Sequence, residues 1–157
     1  MEPSLLEQLL EGLRRLNASD AALDRAAAKR MGINRTDLDA IEALDRLGPL
    51  TATGLANAVG LTKTAATSLI DRMVSAGYAE RLDDDHDRRR VVVRPTAKAM
   101  AASKELYAPF GEASRTSFSG YNTDELKLLM EFVNRAEALL RDQAERVEDL
   151  ARAELTE

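Results

Sequence analysis

The sequence predicts a mainly α-helical fold in which one small β-hairpin sits between two long helical arms. Two patterns carry that expectation. Leucine-rich stretches near both ends repeat at helical spacing, and only residues 78–93 change to a strand, polar turn and strand pattern. The length agrees with it: 157 residues, 45% hydrophobic and 31% charged, suit one ordinary domain, 1–157, able to bury a core without staples.

Leu6, Leu9, Leu13 and Leu16 recur at alternating steps of three and four, the mark of a helix with one apolar stripe. The period continues through Leu23 and Ala27, and Gly32 supplies the left-handed residue that ends a helix. Asn34 or Thr36 caps a second helix with Leu38, Ile41, Leu44 and Leu47 facing inward, closed by Gly48 and Pro49. Thr51 caps a short third helix bearing Leu55, Ala56 and Val59 and stopped by Gly60, and Thr62 caps a fourth that runs to Gly77. Two short helices joined by a glycine-containing turn make a helix-turn-helix pattern, with Ala56 and Gly60 as the small residues of a tight crossing.

Tyr78 to Leu82 and Val91 to Val93 read as strands around the polar run Asp83 to Arg90, a hairpin with a charged tip. Thr96 restarts helix, with an irregularity expected near Pro109 and Gly111, and Gly120 precedes the last helix. In that helix Leu126, Leu129, Val133, Ala136, Leu140, Val147 and Leu150 keep a heptad spacing broken only by Gln143. Such a helix, of about 28 residues and about 42 Å, is too long for the rest of the chain to cover. Its stripe is expected to pack on a second copy or on the first helix.

Several function classes drop out on composition. Cysteine is absent and His86 is the single histidine, so thiolate sites, the usual zinc sites and a Ser-His-Asp arrangement lack their ligands and bases. No enzyme, cofactor or metal site is expected. Asp83, Asp85 and Asp87 have the spacing of a calcium loop, but Arg88 stands where glycine is needed and Arg94 where the bidentate glutamate is needed. The amino end is acidic, and no apolar run approaches the ~18 residues of a membrane span, so a cytoplasmic location without membrane contact is expected.

Charge then points to a partner. The net charge is −5, yet residues 61–98 carry eight bases against six acids while every other stretch is neutral or acidic. A nucleic-acid contact belongs in that block. On a helical wheel of the fourth helix, Ala65, Ala66, Leu69, Met73 and Ala76 share one side. Lys63, Thr64, Thr67, Ser68, Asp71 and Ser75 share the other. Short hydroxyls beside one lysine fit close to base edges and phosphates, and the first turn adds its free N–H groups. Arg88, Arg89 and Arg90 at the hairpin tip, with Arg94 beyond, suit an adjacent minor groove. Asp87 is expected to be tied to Arg72 or Arg81 and to orient the hairpin. The alternative is a protein-interaction module without specific DNA binding, to which the acidic total and Asp83, Asp84, Asp85 and Asp87 point.

Together these residues resemble the MarR family of winged-helix transcriptional regulators. The likeness runs from Asn34-Arg35-Thr36-Asp37-Leu38 through Gly48-Pro49-Leu50-Thr51, Leu55-Ala56 and Gly60-Leu61-Thr62. It continues with Thr67, Leu69-Ile70-Asp71-Arg72, Ala76-Gly77-Tyr78 and Arg81, and ends on the wing, Asp87-Arg88-Arg89-Arg90-Val91, Val93-Arg94 and Thr96. Three departures surround the wing: the proline common before Asp-Arg-Arg is missing, Pro95 replaces a leucine, and Ala99 replaces a glycine.

The resemblance implies a winged helix-turn-helix lobe at 34–98 and a helical dimerisation lobe formed by 1–33 and 99–157. It implies a homodimer on a pseudo-palindromic operator of double-stranded DNA, usually as a repressor. Thr62, Lys63, Thr64, Thr67 and Ser68 match its groove-facing positions, Arg89 matches its minor-groove arginine, and Arg72, Asp87 and Arg88 complete the expected DNA-binding set. Many members are released from DNA by small aromatic effectors, and Tyr107, Phe110, Phe118, Tyr121 and Phe132 could line such a pocket, although aromatics grouped in this way are more often simply core.

Overall fold

Ser4 and Asn34 open the first two helices with the same device. Each side-chain oxygen accepts from the backbone N–H three residues on, and the acid at that position, Glu7 or Asp37, accepts from the cap's own N–H. The computed structural model describes residues 3–83 and 91–154. Helix α1 spans Leu5–Met31 and ends on Gly32 at φ 70, where the left-handed backbone favours glycine. Helix α2 spans Arg35–Leu47 with Asn34, not Thr36, as its cap.

Strand β1 (Leu50–Thr51) and helix α3 (Ala52–Ala58) follow, then α4 (Lys63–Ser75), β2 (Ala79–Asp83), β3 (Val91–Pro95), α5 (Ala97–Phe118) and α6 (Thr123–Glu154). The hairpin is as expected, with Ala79 opposite Pro95 and Asp83 opposite Val91. The third strand was not expected: β1 adds to the outer edge of β3, Leu50 opposite Val93 and Thr51 opposite Val92, giving the order β1-β3-β2. A second difference lies in α5, which continues through Pro109 and Gly111 where an irregularity was expected. Pro109 and Glu105, the residue whose carbonyl loses its helical partner, are both exposed, so water can replace the missing bond.

By contact density the chain divides at Phe110 into two units. The first holds the core: Ile41 and Leu44 of α2, Leu55 of α3, Leu69, Ile70 and Met73 of α4, and Val93 of β3. Polar ties fasten the helix-turn-helix to its neighbours. The buried Tyr78 hydroxyl donates to the Met31 carbonyl at 2.9 Å, and Thr96 caps α5 while donating to the Gly77 carbonyl at 2.8 Å.

The second unit is built on α6, 32 residues and about 48 Å long. Asn122 and Glu125 form a third reciprocal cap at its start. Glu131 with Arg135 and Glu137 with Arg141 pair along an exposed face. The heptad stripe remains open: Leu126, Leu129, Val133, Leu140, Val147 and Leu150 are 42–63% exposed.

Candidate nucleic-acid interface

The turn from α3 into α4 is made by the backbone. Leu61 N–H donates to the Ala56 carbonyl at 2.8 Å, and Gly60 takes φ 66. A Cβ at Gly60 would meet nothing within 4 Å, so glycine serves this turn by its left-handed conformation. Closeness of the crossing, expected of both small residues, rests on Ala56, which is buried.

Thr62 caps α4 through its hydroxyl oxygen, which accepts from Ala65 N–H at 3.2 Å. The N–H groups of Lys63 and Thr64 are left without an acceptor among the described residues. They point outward at the positive end of the helix dipole. Thr62, Lys63, Thr64, Thr67, Ser68, Asp71 and Ser75 are all exposed, so the outer face is the one the wheel placed there. The inner face differs. Ile70 is buried with Ala66, Leu69 and Met73, whereas Ala65 and Ala76 are exposed.

The chemistry of the outer face is that of a nearly uncharged, hydrogen-bonding strip. The Thr67 hydroxyl donates to the Lys63 carbonyl at 3.0 Å, Ser68 to Thr64 at 3.3 Å and Ser75 to Asp71 at 2.8 Å. Each oxygen keeps lone pairs for an incoming donor, and each proton can rotate to an incoming acceptor. Asp71, the acid on this face, is paired with Arg81 of β2 at 2.5 Å. Lys63 lies in no ion pair among the described residues, so the strip carries one uncompensated positive charge.

Arg72 projects to the flank of this strip. Its Nε donates to both Asp37 oxygens at 3.1 Å and its Nη2 to Oδ1 at 2.5 Å. That bonding raises the guanidinium pKa, against partial burial, which lowers it. The hairpin adds Arg94, paired with Glu80 at 2.8 Å. Asp87, Arg88 and Arg89 lie outside the described residues; the two arginines expected to hold Asp87 have Asp37 and Asp71 as partners.

A cavity of about 470 Å³ lies between α1, α2 and the first half of α5. Leu38, Ile41 and Met100 give it apolar walls, and its charged lining is Asp20, Asp24, Glu42 and Asp45 with one lysine, Lys104. The Tyr107 hydroxyl, also in the lining, donates to Asp24 at 2.7 Å, and Asp24 pairs with Arg35 at 2.8 Å. Burial, then the bond to Asp24, pushes the Tyr107 pKa up, so it stays a neutral donor. Of the five aromatics expected as pocket or core, Tyr107 alone lines this cavity. Phe110, Phe118 and Tyr121 are exposed and Phe132 partly so.

Comparison with known proteins agrees with this architecture. The sequence profile of the MarR family matches residues 31–90. The HTH-type transcriptional regulator YcgE of Bacillus subtilis is 34% identical over 134 residues, 85% of this chain and 87% of that protein. The HTH-type transcriptional regulator PecS of Dickeya dadantii is 26% identical over 75% of this chain and 72% of that protein. Among solved structures, a MarR family protein from Bacillus stearothermophilus aligns with a TM-score of 0.67 at 20% identity, covering 90% of this chain and 99% of the other. Bordetella bronchiseptica BpsR, whose DNA binding is regulated by 6-hydroxynicotinic acid, aligns with a TM-score of 0.53 at 20% identity, over 87% and 98%.

Proposed function

Because the chain belongs to the MarR family, we propose that it is a sequence-specific, duplex-DNA-binding transcriptional repressor, dimeric and cytoplasmic, that a small molecule releases from its operator. The observation that carries this reading is the outer face of α4. It offers two free N–H groups, Lys63 and a row of hydroxyls, while its single carboxylate is neutralised by Arg81. In this reading Thr62, Lys63, Thr64, Thr67 and Ser68 enter the major groove and Arg72 flanks the backbone. Asp87, Arg88 and Arg89 place the wing in the minor groove. The lobe 34–98 reads DNA, and the helices of 1–33 and 99–157 join two copies.

Support for the dimer comes from leucines that the chain leaves uncovered. In the first unit Leu5, Leu6 and Leu16 of α1 are 63–82% exposed, and in the second Leu129 and Leu140 of α6 are 42% and 63% exposed, apolar rows that suit contact with a second copy. No helix among the described residues is long and apolar enough to cross a membrane. Selection from a random duplex library at about 150 mM salt tests the reading. An enriched inverted repeat, preferred by 10³-fold or more over a scrambled duplex, is the expected result. Equal and weak binding to both duplexes would leave the protein-interaction alternative.

The cavity suits the effector. With Asp24 taken up by Arg35 and Tyr107, three carboxylates against one lysine still favour a cationic or neutral aromatic molecule over an aromatic carboxylate. Benzamidinium, benzamide and benzoate share a shape and differ in charge, so DNA anisotropy with each separates the cases. Release by benzamidinium and not by benzoate is expected. Indifference to all three would remove this cavity from regulation.

A further inference from the structure

Asp37 is the one buried charged side chain among the described residues, and in the sequence it stands out only as part of the Asn34–Leu38 likeness at the start of α2. Its carboxylate is held by two groups, and its backbone is fixed by a third bond. The Asn34 N–H donates to Oδ2 at 3.3 Å, and Asp37's own N–H is fixed by the Asn34 side chain at 2.9 Å. The rest of the carboxylate is taken up by Arg72 of α4, 35 residues away, through Nε and Nη2. A fork bonded along one edge in this way has a single orientation, and a lysine, with one point charge, cannot reproduce it.

Arg72 is thus braced against a fixed point in a helix other than its own, while about half of its side chain stays exposed. The packing of Leu69, Ile70 and Met73 sets the depth of α4. Leucine and methionine contacts alone leave rotation about the helix axis softly defined, because apolar contacts are non-directional. A two-point hydrogen-bonded brace at the flank adds a directional constraint toward α2, beside the Asp71–Arg81 pair toward β2.

We propose that Asp37 is a positioning residue for DNA recognition: through Arg72 it fixes the rotation of α4, so that Thr64, Thr67 and Ser68 meet base edges in one register. The proposal rests on the DNA-binding reading above. It assigns Asp37 no contact with DNA, and it gives Arg72 its importance as the other end of the brace.

The test compares Asp37→Asn, Arg72→Lys and the double variant of the full chain, using anisotropy on the selected operator and its scrambled control. Asp37→Asn preserves size and Arg72→Lys preserves charge at a half-exposed side chain, so the two strain the fold in different ways; circular dichroism verifies folding. Each single variant is expected to lower the operator-to-scrambled ratio by tenfold or more. The double variant is expected to lose no more than the worse single one, because the two residues act as one unit. The salt dependence of operator binding should stay at the wild-type slope in Arg72→Lys, since no charge is removed. Three outcomes would overturn the proposal. One is a folded Asp37→Asn protein with a lower melting temperature and an unchanged ratio, which leaves a structural role only. Another is additive losses in the double variant, which make Arg72 an independent contact. The last is a wild-type chain without operator preference, which overturns the DNA-binding reading itself and this inference with it.

Discussion

Leu69 and Met73 of α4 are each 1% exposed, whereas Leu129 and Leu140 of α6 are 42% and 63% exposed, although both helices carry an apolar stripe at helical spacing. The difference lies in what surrounds them. Around α4 the chain supplies α2, α3 and the three-stranded sheet, so its apolar face is finished internally. Within its own unit α6 has no second layer over these leucines. One apolar stripe therefore builds the core of the first unit, and the other is the one proposed above to join two copies.

That contrast can be broken at either end. Replacing Leu129 and Leu140 together by Asp is expected to have the largest effect. Two leucines buried at a dimer interface contribute about 1.5–3 kcal/mol each, so the dimer should weaken by at least 100-fold, with sedimentation at micromolar concentration reading a monomer. Leu69→Ala attacks the finished stripe instead. It should cost about 2–5 kcal/mol, seen as a lower urea midpoint at unchanged slope. A dimer unaffected by the first change would place the subunit contact elsewhere.

The wing gives a smaller effect that leaves both stripes intact. Arg89→Ala is expected to weaken operator binding by about 1–3 kcal/mol while leaving the melting curve in place, and unchanged affinity would take the wing out of recognition. Smallest is the acid response of α1. Hydrogen bonds from Ser4 lower the pKa of Glu7 below its usual 4.5. Its contribution is therefore complete above pH 4.5 and disappears as pH falls through the lowered value. Far-UV circular dichroism of Glu7→Gln against the parent should show slightly less helix at pH 7 and a difference that closes on acidification.

Much of this fold was legible because its signals are local. Asn34, Thr51 and Thr62 cap the helices they were expected to cap, since an N-cap is decided within four residues. Gly32, Gly60 and Gly77 end their segments for the same reason, each with positive φ. What escaped was decided at long range. Strand β1 is two residues long and exists only because β3, more than forty residues on, offers an edge. Ile70 and Ala76 lie close to the border of the α4 wheel, and neighbours outside the helix decide which one is buried. Of the expected DNA-binding set, the exposure of the α4 residues could be read from their spacing. Asp37 could not, because a first-turn aspartate looks the same whether it faces water or an arginine 35 residues away.

Helix α2 turns Leu38, Ile41, Glu42 and Asp45 toward the cavity and, one residue before the first of them, Asp37 toward α4. A single helix thus borders both proposed binding events, and any energetic exchange between them is two-way by thermodynamic linkage. If a ligand in the cavity lowers operator affinity 100-fold, a coupling of about 2.7 kcal/mol, the operator lowers affinity for that ligand by the same factor. Protein on its operator then responds only at ligand concentrations far above those that saturate the free dimer, so occupancy of the DNA itself sets the threshold of induction.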